Sequence, residues 1–259
     1  MNIGHAQLAM DQLEKLNLAM DQLAKLKCVY HQDFMTHSKP HLRVDELGAG
    51  DFVFVPVPPD FPNTNPSHSY TNDGLLLSIE RPVDHGNMGE FGAARMQGVH
   101  LPHNFLLVAS FRHPSQVSLV AAPPSGTHAP AILIFYTTGK FMGASCQFTA
   151  QGVHLHLTGT GTPARPNIPQ SDVDRILAGA TLSLAFWVSR TASASSVRGT
   201  LYINNKEIDS DGVETPKFTI STGISDMVAG IGTASGSLYR ASVDLLDFQI
   251  WIPVRPDFA

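Results

Sequence analysis

Apolar residues recur along most of this chain in short runs with a period near two, broken by turn residues. The pattern is clearest in the last quarter. There Thr181–Val188, Gly199–Ile208, Lys217–Ile220, Met227–Gly232 and Ser242–Ile252 each read as a β-strand. Asn204-Asn205 sits between the apolar flanks Leu201-Tyr-Ile203 and Ile208, and Asn tolerates the positive φ of a two-residue turn, so a tight hairpin is predicted. Val243, Leu245 and Asp247 alternate with Asp244, Leu246 and Phe248, and Ile250 and Ile252 then alternate with Trp251, which suits a strand covered on both faces. Gly230 and Gly232 flank Ile231, as where a bulge or a close backbone approach is needed.

Upstream, Asp51–Val57, Leu75–Glu80, Phe105–Phe111, Gln116–Ala121 and Ala131–Tyr136 read as further strands, and Ser145–Ala150 with Val153–Thr158 as a hairpin. Asn72-Asp-Gly74 is a turn signal. The Pro- and Asn-rich stretch Pro58–Asn72 and the glycine-rich stretch Arg81–Gly98 are expected to be loops, the second long enough to carry function. Ser171–Ala178 is a short helix with Ser171 as its N-cap and Asp172 in its first turn. The sum is ten to twelve strands, enough for two sheets of five or six.

The first 28 residues change period. Leu8–Asn17 is nearly repeated in Leu18–Lys27, in strong helix formers. Ala6, Ala9, Leu13, Leu16, Met20 and Leu23 recur at spacings of three and four and line one face of a helix, like a short coiled-coil seam. That face has three destinations: the protein's own β domain, a second copy, or a membrane surface, which the balanced charge disfavours. A polar connector with His31, His37, Pro40 and His41 follows. The division expected is 1–45 for helix and connector and 46–259 for the β domain.

Leu201-Tyr-Ile-Asn-Asn-Lys206 resembles the "LYVNGK" hairpin of concanavalin A-like (laminin-G-like) jelly rolls. Gly230-Ile-Gly232 and Val243-Asp244…Asp247-Phe-Gln-Ile-Trp251 resemble that family's later strands, in the same order. The resemblance spans about residues 181–252. Asn205 stands where the family has Gly, and Leu245-Leu246 separate an acidic pair that the family keeps together. It implies an all-β fold of two stacked antiparallel sheets, a jelly-roll sandwich, preceded here by the N-terminal α-helix. It implies carbohydrate binding as a tendency of a fold that also hosts glycanases, lyases and structural modules.

Composition narrows the field. The 259 residues are 43% hydrophobic and 15% charged, with 18 prolines and 21 glycines, which fits a loop-rich β protein with a sizeable core. A net charge of −5 without a basic cluster argues against a nucleic-acid partner. No run approaches the length of a membrane span, and the N-terminus lacks the features of a secretory signal, which points to the cytoplasm or non-classical export. Cys28 and Cys146 are the two cysteines, expected as free thiols, with a disulfide between them left open.

Candidate chemistry is sparse. Glycanases of the family carry Glu-x-Asp-x-(x)-Glu on one strand, and no such motif occurs here. Glu80, Asp84 and Glu90 read as solvated loop carboxylates, and strict alternation sends Asp244 and Asp247 to opposite faces of their strand. No nucleophile elbow or phosphate loop is present. His154 and His156 are two apart on a strand and share a face. They would suit a metal if His100 or His103 supplied a third ligand. Lyases of the family use Tyr and His with a Gln or Arg that neutralises a uronate, and Tyr136, His100, Gln97 and Arg95 offer those residue types. Trp187 and Trp251 read as core.

The ligand-binding candidates are therefore Arg95, His100, His103, Asn104, Tyr136, His154 and His156. No catalytic residue, metal site or cofactor is assigned, and no motif indicates calcium. The expected function is a non-catalytic, lectin-like domain for a glycan or polysaccharide, self-associating through residues 5–28. A polysaccharide hydrolase or lyase working near residues 81–104, and a structural or attachment protein with a β head, are the alternatives.

Overall fold

The computed structural model describes residues 26–36, 42–43, 52–56, 65–80, 92–100, 104–112, 131–135, 143–149, 152–157, 169–190, 195–204, 206–214, 228–235 and 240–254. Among these it has fifteen strands: β1 (Leu26–Asp33), β2 (Leu42–Arg43), β3 (Val53–Phe54), β4 (Asn65–Thr71), β5 (Gly74–Glu80), β6 (Gly92–His100), β7 (Phe105–Arg112), β8 (Ala131–Phe135), β9 (Gly143–Thr149), β10 (Gly152–Leu157), β11 (Leu182–Arg190), β12 (Ser195–Ile203), β13 (Lys206–Glu214), β14 (Val228–Ser235) and β15 (Arg240–Pro253). A 3-10 turn, Phe34–Thr36, follows β1, and a helix α1, Gln170–Leu177, precedes β11.

All pairings are antiparallel. One sheet has nine strands in the order β13-β12-β11-β7-β15-β1-β2, with β5 also on β15 and β4 beyond it. The other has six, in the order β10-β9-β8-β14-β6-β3. These are larger and less equal sheets than the strand count in the sequence suggested. The sheets meet where β14 packs on β15 and β5, β6 on β4 and β5, and β10 on β12 and β13. Leu107, Phe111, Phe186, Leu201, Phe248 and Ile250 of the large sheet join Met96 of β6 and Phe52 in one buried cluster. Phe52 stacks edge-on against Tyr30 and Phe248, at centroid distances of 5.1 and 4.9 Å, which ties the β3 segment to both β1 and β15. Such pairs add about 1 kcal/mol each beyond their burial.

Local chemistry sets the turns. Ile203 pairs with Lys206 across the predicted hairpin, and Asn204 takes φ 42°. Its partner Asn205 lies outside the described residues. Thr71 pairs with Gly74 across Asn72-Asp73, and the Thr71 hydroxyl binds both the Asp73 amide, at 3.1 Å, and the Gly74 carbonyl, at 3.2 Å. The register of β14 on β6 shifts between Ala229 and Gly230, so a bulge does occur beside the paired glycines.

Several expectations are corrected. Residues 65–71 of the expected loop are β4, an edge strand pairing only with β5. Its Ser67, His68, Ser69 and Tyr70 are exposed, so no apolar alternation marked it, and an edge tolerates Pro66. Residues 92–98 of the second expected loop belong to β6, whose small residues hid its period. Residues 26–28, expected at the helix end, and 29–33, expected in the connector, form β1 along the C-terminal half of β15. The rest of the N-terminal helix and the predicted strands at 116–121 and 217–220 lie outside the described residues. In α1 the cap is Pro169, not Ser171. The Asp172 amide donates to the Pro169 carbonyl at 2.9 Å, which starts the helix two residues earlier without a side-chain cap. The helix ends on Gly179 at φ 87°, with Ala180 N–H bonded to Arg175 O and Gly179 N–H to Ile176 O, a Schellman closure. Cys28 carries no disulfide. Burial pushes its thiol up to about 12, so it is protonated and unreactive at neutral pH.

Candidate functional site

The six-stranded sheet is two-faced, and its pairing register sorts the residues. One row across it runs Met96, Ile231, Ile134, Ala144 and Leu157. Met96 is buried in the core, and Phe54, its partner on β3, packs against that core. This row therefore lies on the face toward the large sheet. The rows between belong to the opposite face. Val53, which pairs with Gln97 on that face, is 57% exposed, so the edge of this face is open to solvent.

Register places two of these rows across five strands. Arg95 of β6 pairs with Gly232, Gly232 with Leu133, Leu133 with Ser145, and Ser145 with His156. The neighbouring row runs Ala93, Ala234, Ala131, Gln147 and His154. A third, shorter row holds Gln97, Gly230, Phe135 and Gly143. The middle of the face combines Gly230, Gly232, Ala234 and Ala131 with Leu133 and Phe135, and glycine in a strand interior lets a ligand come close to the backbone. Polar residues stand at both margins. Four strand spacings separate Arg95 from His156, about 19 Å, and successive rows are about 7 Å apart.

Of the candidates named from sequence, Arg95, His100, His154 and His156 fall on this one face. For His100 a bulge is responsible. It is five residues from Arg95, which alternation would send to the other side. Gly98 is the extra residue where Gln97 pairs with Gly230 and Val99 with Ala229, so His100 comes opposite Val228 on the Arg95 face. Asn104 is half-buried just before β7. His103 and Tyr136 lie outside the described residues. Ser145 and Gln147 were not singled out in the sequence, although the predicted hairpin of β9 with β10 was signal enough to set them opposite His156 and His154.

The same geometry separates the proposed metal ligands. His154 and His156 do share a face, but His100 lies four strands away, about 19 Å, so the three cannot meet on one ion. Among the described residues no group of three or more His, Cys, Asp or Glu is positioned to hold a metal.

A second concentration of polar groups, on the large sheet, is closed on itself. His31 Nε2 lies 2.5 Å from Asp247 Oδ2. Gln249 Nε2 donates to Asp247 Oδ1 at 2.9 Å, and Trp251 Nε1 donates to Gln249 Oε1 at 3.0 Å. The hydrogen bond to Asp247 holds the His31 imidazolium above its usual range, with burial working against it. Beside them Arg112 Nη2 is 2.6 Å from Asp73 Oδ1, and its Nε is 3.5 Å from Asp244 Oδ2. Burial raises the Asp244 carboxyl and Arg112 opposes that rise. Asp247 and Gln249 are only 5% and 6% exposed, and their polar atoms are engaged with one another, so this network holds strands together and offers little to a ligand. Trp187 and Trp251, expected in the core, are half-buried beside it, packed on a second apolar cluster.

No protein-family model matches the chain, and no curated protein matches it in sequence. Solved structures do. The Lotus tetragonolobus seed lectin is similar at 11% identity and a TM-score of 0.41, over 79% of this chain and 100% of that one. Lectin I from Ulex europaeus, in complex with the methyl glycoside of α-L-fucose, is similar at 8% identity and a TM-score of 0.39, over 78% and 98%. The exoplasmic/lumenal domain of VIP36 in its Ca2+/Man-bound form is similar at 11% identity and a TM-score of 0.37, over 76% and 84%. These are concanavalin A-like jelly-roll lectins, the group that residues 181–252 resemble in sequence.

Proposed function

We propose that this protein is a non-catalytic, lectin-like carbohydrate-binding domain, its two sheets stacked as a jelly-roll sandwich. Its site is the outer face of the six-stranded sheet. The observation that supports this reading is the pair of rows from Arg95 to His156 and from Ala93 to His154, with Arg95 at one margin, Ser145, Gln147, His154 and His156 at the other, and Gly232, Leu133, Ala234 and Ala131 between. Gly232, Ala234 and Ala131 in the middle of this floor let a ligand come close to the backbone. A span of about 19 Å suits an extended chain of sugar units more than a single ion or a compact metabolite. Arginine, histidine, glutamine and serine are the donors and acceptors that hydroxyl-rich rings require.

Binding to a broad glycan and polysaccharide array tests the reading. The folded protein is expected to bind one sugar class. Arg95→Ala and His156→Ala are each expected to weaken that binding about tenfold or more, as for a lost hydrogen bond to a charged group. Silence across the array, or binding that both substitutions leave intact, sinks it.

One observation favours a second reading, a polysaccharide-active enzyme: Arg95, Gln97 and His100 share a face on a single strand. Incubating the bound polysaccharide with the protein and looking for shortened or unsaturated products decides between the two. Unchanged polysaccharide after long incubation leaves only the binding domain.

A further inference from the structure

Charge is divided unequally between the two sheets. The chain carries 22 Asp and Glu against 17 Lys and Arg, for a net charge of −5. Among the described residues, none of those carboxylates lies on β3, β6, β8, β9, β10 or β14. The ionisable residues of these strands are Arg95, His100, Cys146, His154 and His156. Cys146 pairs with Ile132 and Leu155, in the rows toward the large sheet. The other four all fall on the outer face. The nine-stranded sheet is different. β13 alone holds Glu207, Asp209, Asp211 and Glu214, and it meets β10 where the two sheets pack, on the side away from the outer face.

The sign of the face bears on its ligand. A neutral sugar ring donates hydroxyl hydrogens, and carboxylates are good acceptors for them. An anionic ring is repelled by the same carboxylates and drawn to Arg and protonated His. In an acidic protein, a face whose described ionisable residues are all of the cationic kind suits the second ligand. Spacing bears on it as well. The β6 and β10 margins are about 19 Å apart, well beyond the Debye length of about 8 Å at physiological ionic strength. No single carboxylate or sulfate serves both margins, so a ligand that uses both repeats its charge along its length. Nucleic acid repeats it too densely. A strand laid over about 19 Å brings five or six phosphates, and among the described residues of this face Arg95 is the one permanently charged cation.

We infer that the ligand of this face is an acidic polysaccharide, its carboxylate or sulfate groups distributed between the margin of Arg95 and His100 and the margin of His154 and His156. The inference rests on the reading of this face as a glycan site and narrows the class of glycan.

Two pairs of polymers that differ in charge test it: polygalacturonate with its methyl-esterified form, and dextran sulfate with dextran. Binding to the full-length protein is measured at about pH 6, just below the ordinary imidazole value near 6.5. At least one acidic member is expected to bind about tenfold or more tighter than its neutral partner. Preference for polygalacturonate assigns the site to carboxylates, and preference for dextran sulfate assigns it to sulfates. Raising NaCl from about 0.05 to 0.5 M shortens the Debye length about threefold and should weaken that binding about tenfold or more. Arg95→Gln should weaken it about tenfold, and Arg95→Lys, which keeps the charge, should recover part of the loss. If the glutamine variant does not fold, the salt dependence of the wild type decides. Equal affinity within each pair, binding indifferent to salt, or silence toward all four polymers overturns the inference. Binding of a neutral glycan on the broad array would then leave the glycan site standing, whereas silence there as well sinks both. A single-stranded oligonucleotide that displaces the bound polysaccharide at lower concentration also overturns the inference, by assigning the face to nucleic acid.

Discussion

Asp244 and Asp247 lie on the same face of β15, although they are three residues apart. Asp244 pairs with Arg112 and Asp247 with Ser110, two positions apart on a regular β7, and Leu246 is the extra residue between them. The bulge resets the alternation. Before it Val243 and Leu245 face the core, and after it Phe248 and Ile250 do. Strict period-two counting, as applied to the sequence, separates the two acids and gives the wrong face to everything beyond Leu246.

Deleting Leu246 should therefore be far worse than truncating it. A regular strand would swing Gln249 and Trp251 into the main core and Phe248 and Ile250 out of it. The deletion variant is expected to lose cooperative thermal unfolding, whereas Leu246→Ala, at a half-buried position, should keep it. A deletion variant that melts like the wild type contradicts the bulge.

Arg112 neutralises a buried carboxylate. Arg112→Ala leaves Asp244, 5% exposed, without its cation and frees the Asp73 turn as well. The expected cost is about 3 kcal/mol in urea unfolding. Adding Asp244→Asn to Arg112→Ala should recover part of that loss, because the uncompensated charge is gone. Full additivity of the two substitutions would show that they do not interact.

His31 makes stability depend on pH. Its hydrogen bond to Asp247 raises its pKa in the folded state. Stability from the pair is thus complete below the ordinary imidazole range, near pH 6.5, and is lost as pH rises through the raised value. Thermal melts between pH 6 and 9 should show this decline in the wild type and a flatter profile in His31→Gln. Parallel profiles for the two proteins would remove His31 as the cause.

Gly74 has no room for a side chain. It takes φ +122°, and a Cβ there would stand 2.3 Å from the Leu245 carbonyl oxygen. Gly74→Ala combines backbone strain with a clash against main chain that cannot rotate away, for an expected loss of at least about 2 kcal/mol. An alanine variant of wild-type stability would mean that the β4–β5 hairpin sits differently on β15.

The strands legible in the sequence were those whose apolar side chains face a core: β5, β7, β11, β12 and β15, along with the hairpins at Asn204 and between β9 and β10. Those that escaped had no such duty or were masked by composition. β4 is a polar edge, β6 spends most of its positions on Gly, Ala and polar residues, and β1 follows directly on a helical pattern. The candidate site was legible as residue types and not as a place. Arg95 and His156 are 61 residues apart (156 − 95) and meet on one face only through the intervening pairings of β14, β8 and β9. Bulges at Gly98 and Leu246 changed faces without leaving any mark in the hydrophobic pattern.

The pairing of β1 with β15 also governs when this protein can fold. His31 and Asp247 touch across 216 residues of chain, and β15 is bordered on its other flank by β7. During synthesis the large sheet therefore lacks its central strand until residues 240–253 have left the ribosome. Until then Phe105, Phe111 and the apolar edges of β1 and β5 wait without their principal partner. Contacts of such long range form slowly, and the waiting strands are open to pairing between neighbouring nascent chains. Premature termination anywhere before residue 240 should thus yield an insoluble product instead of a smaller folded domain.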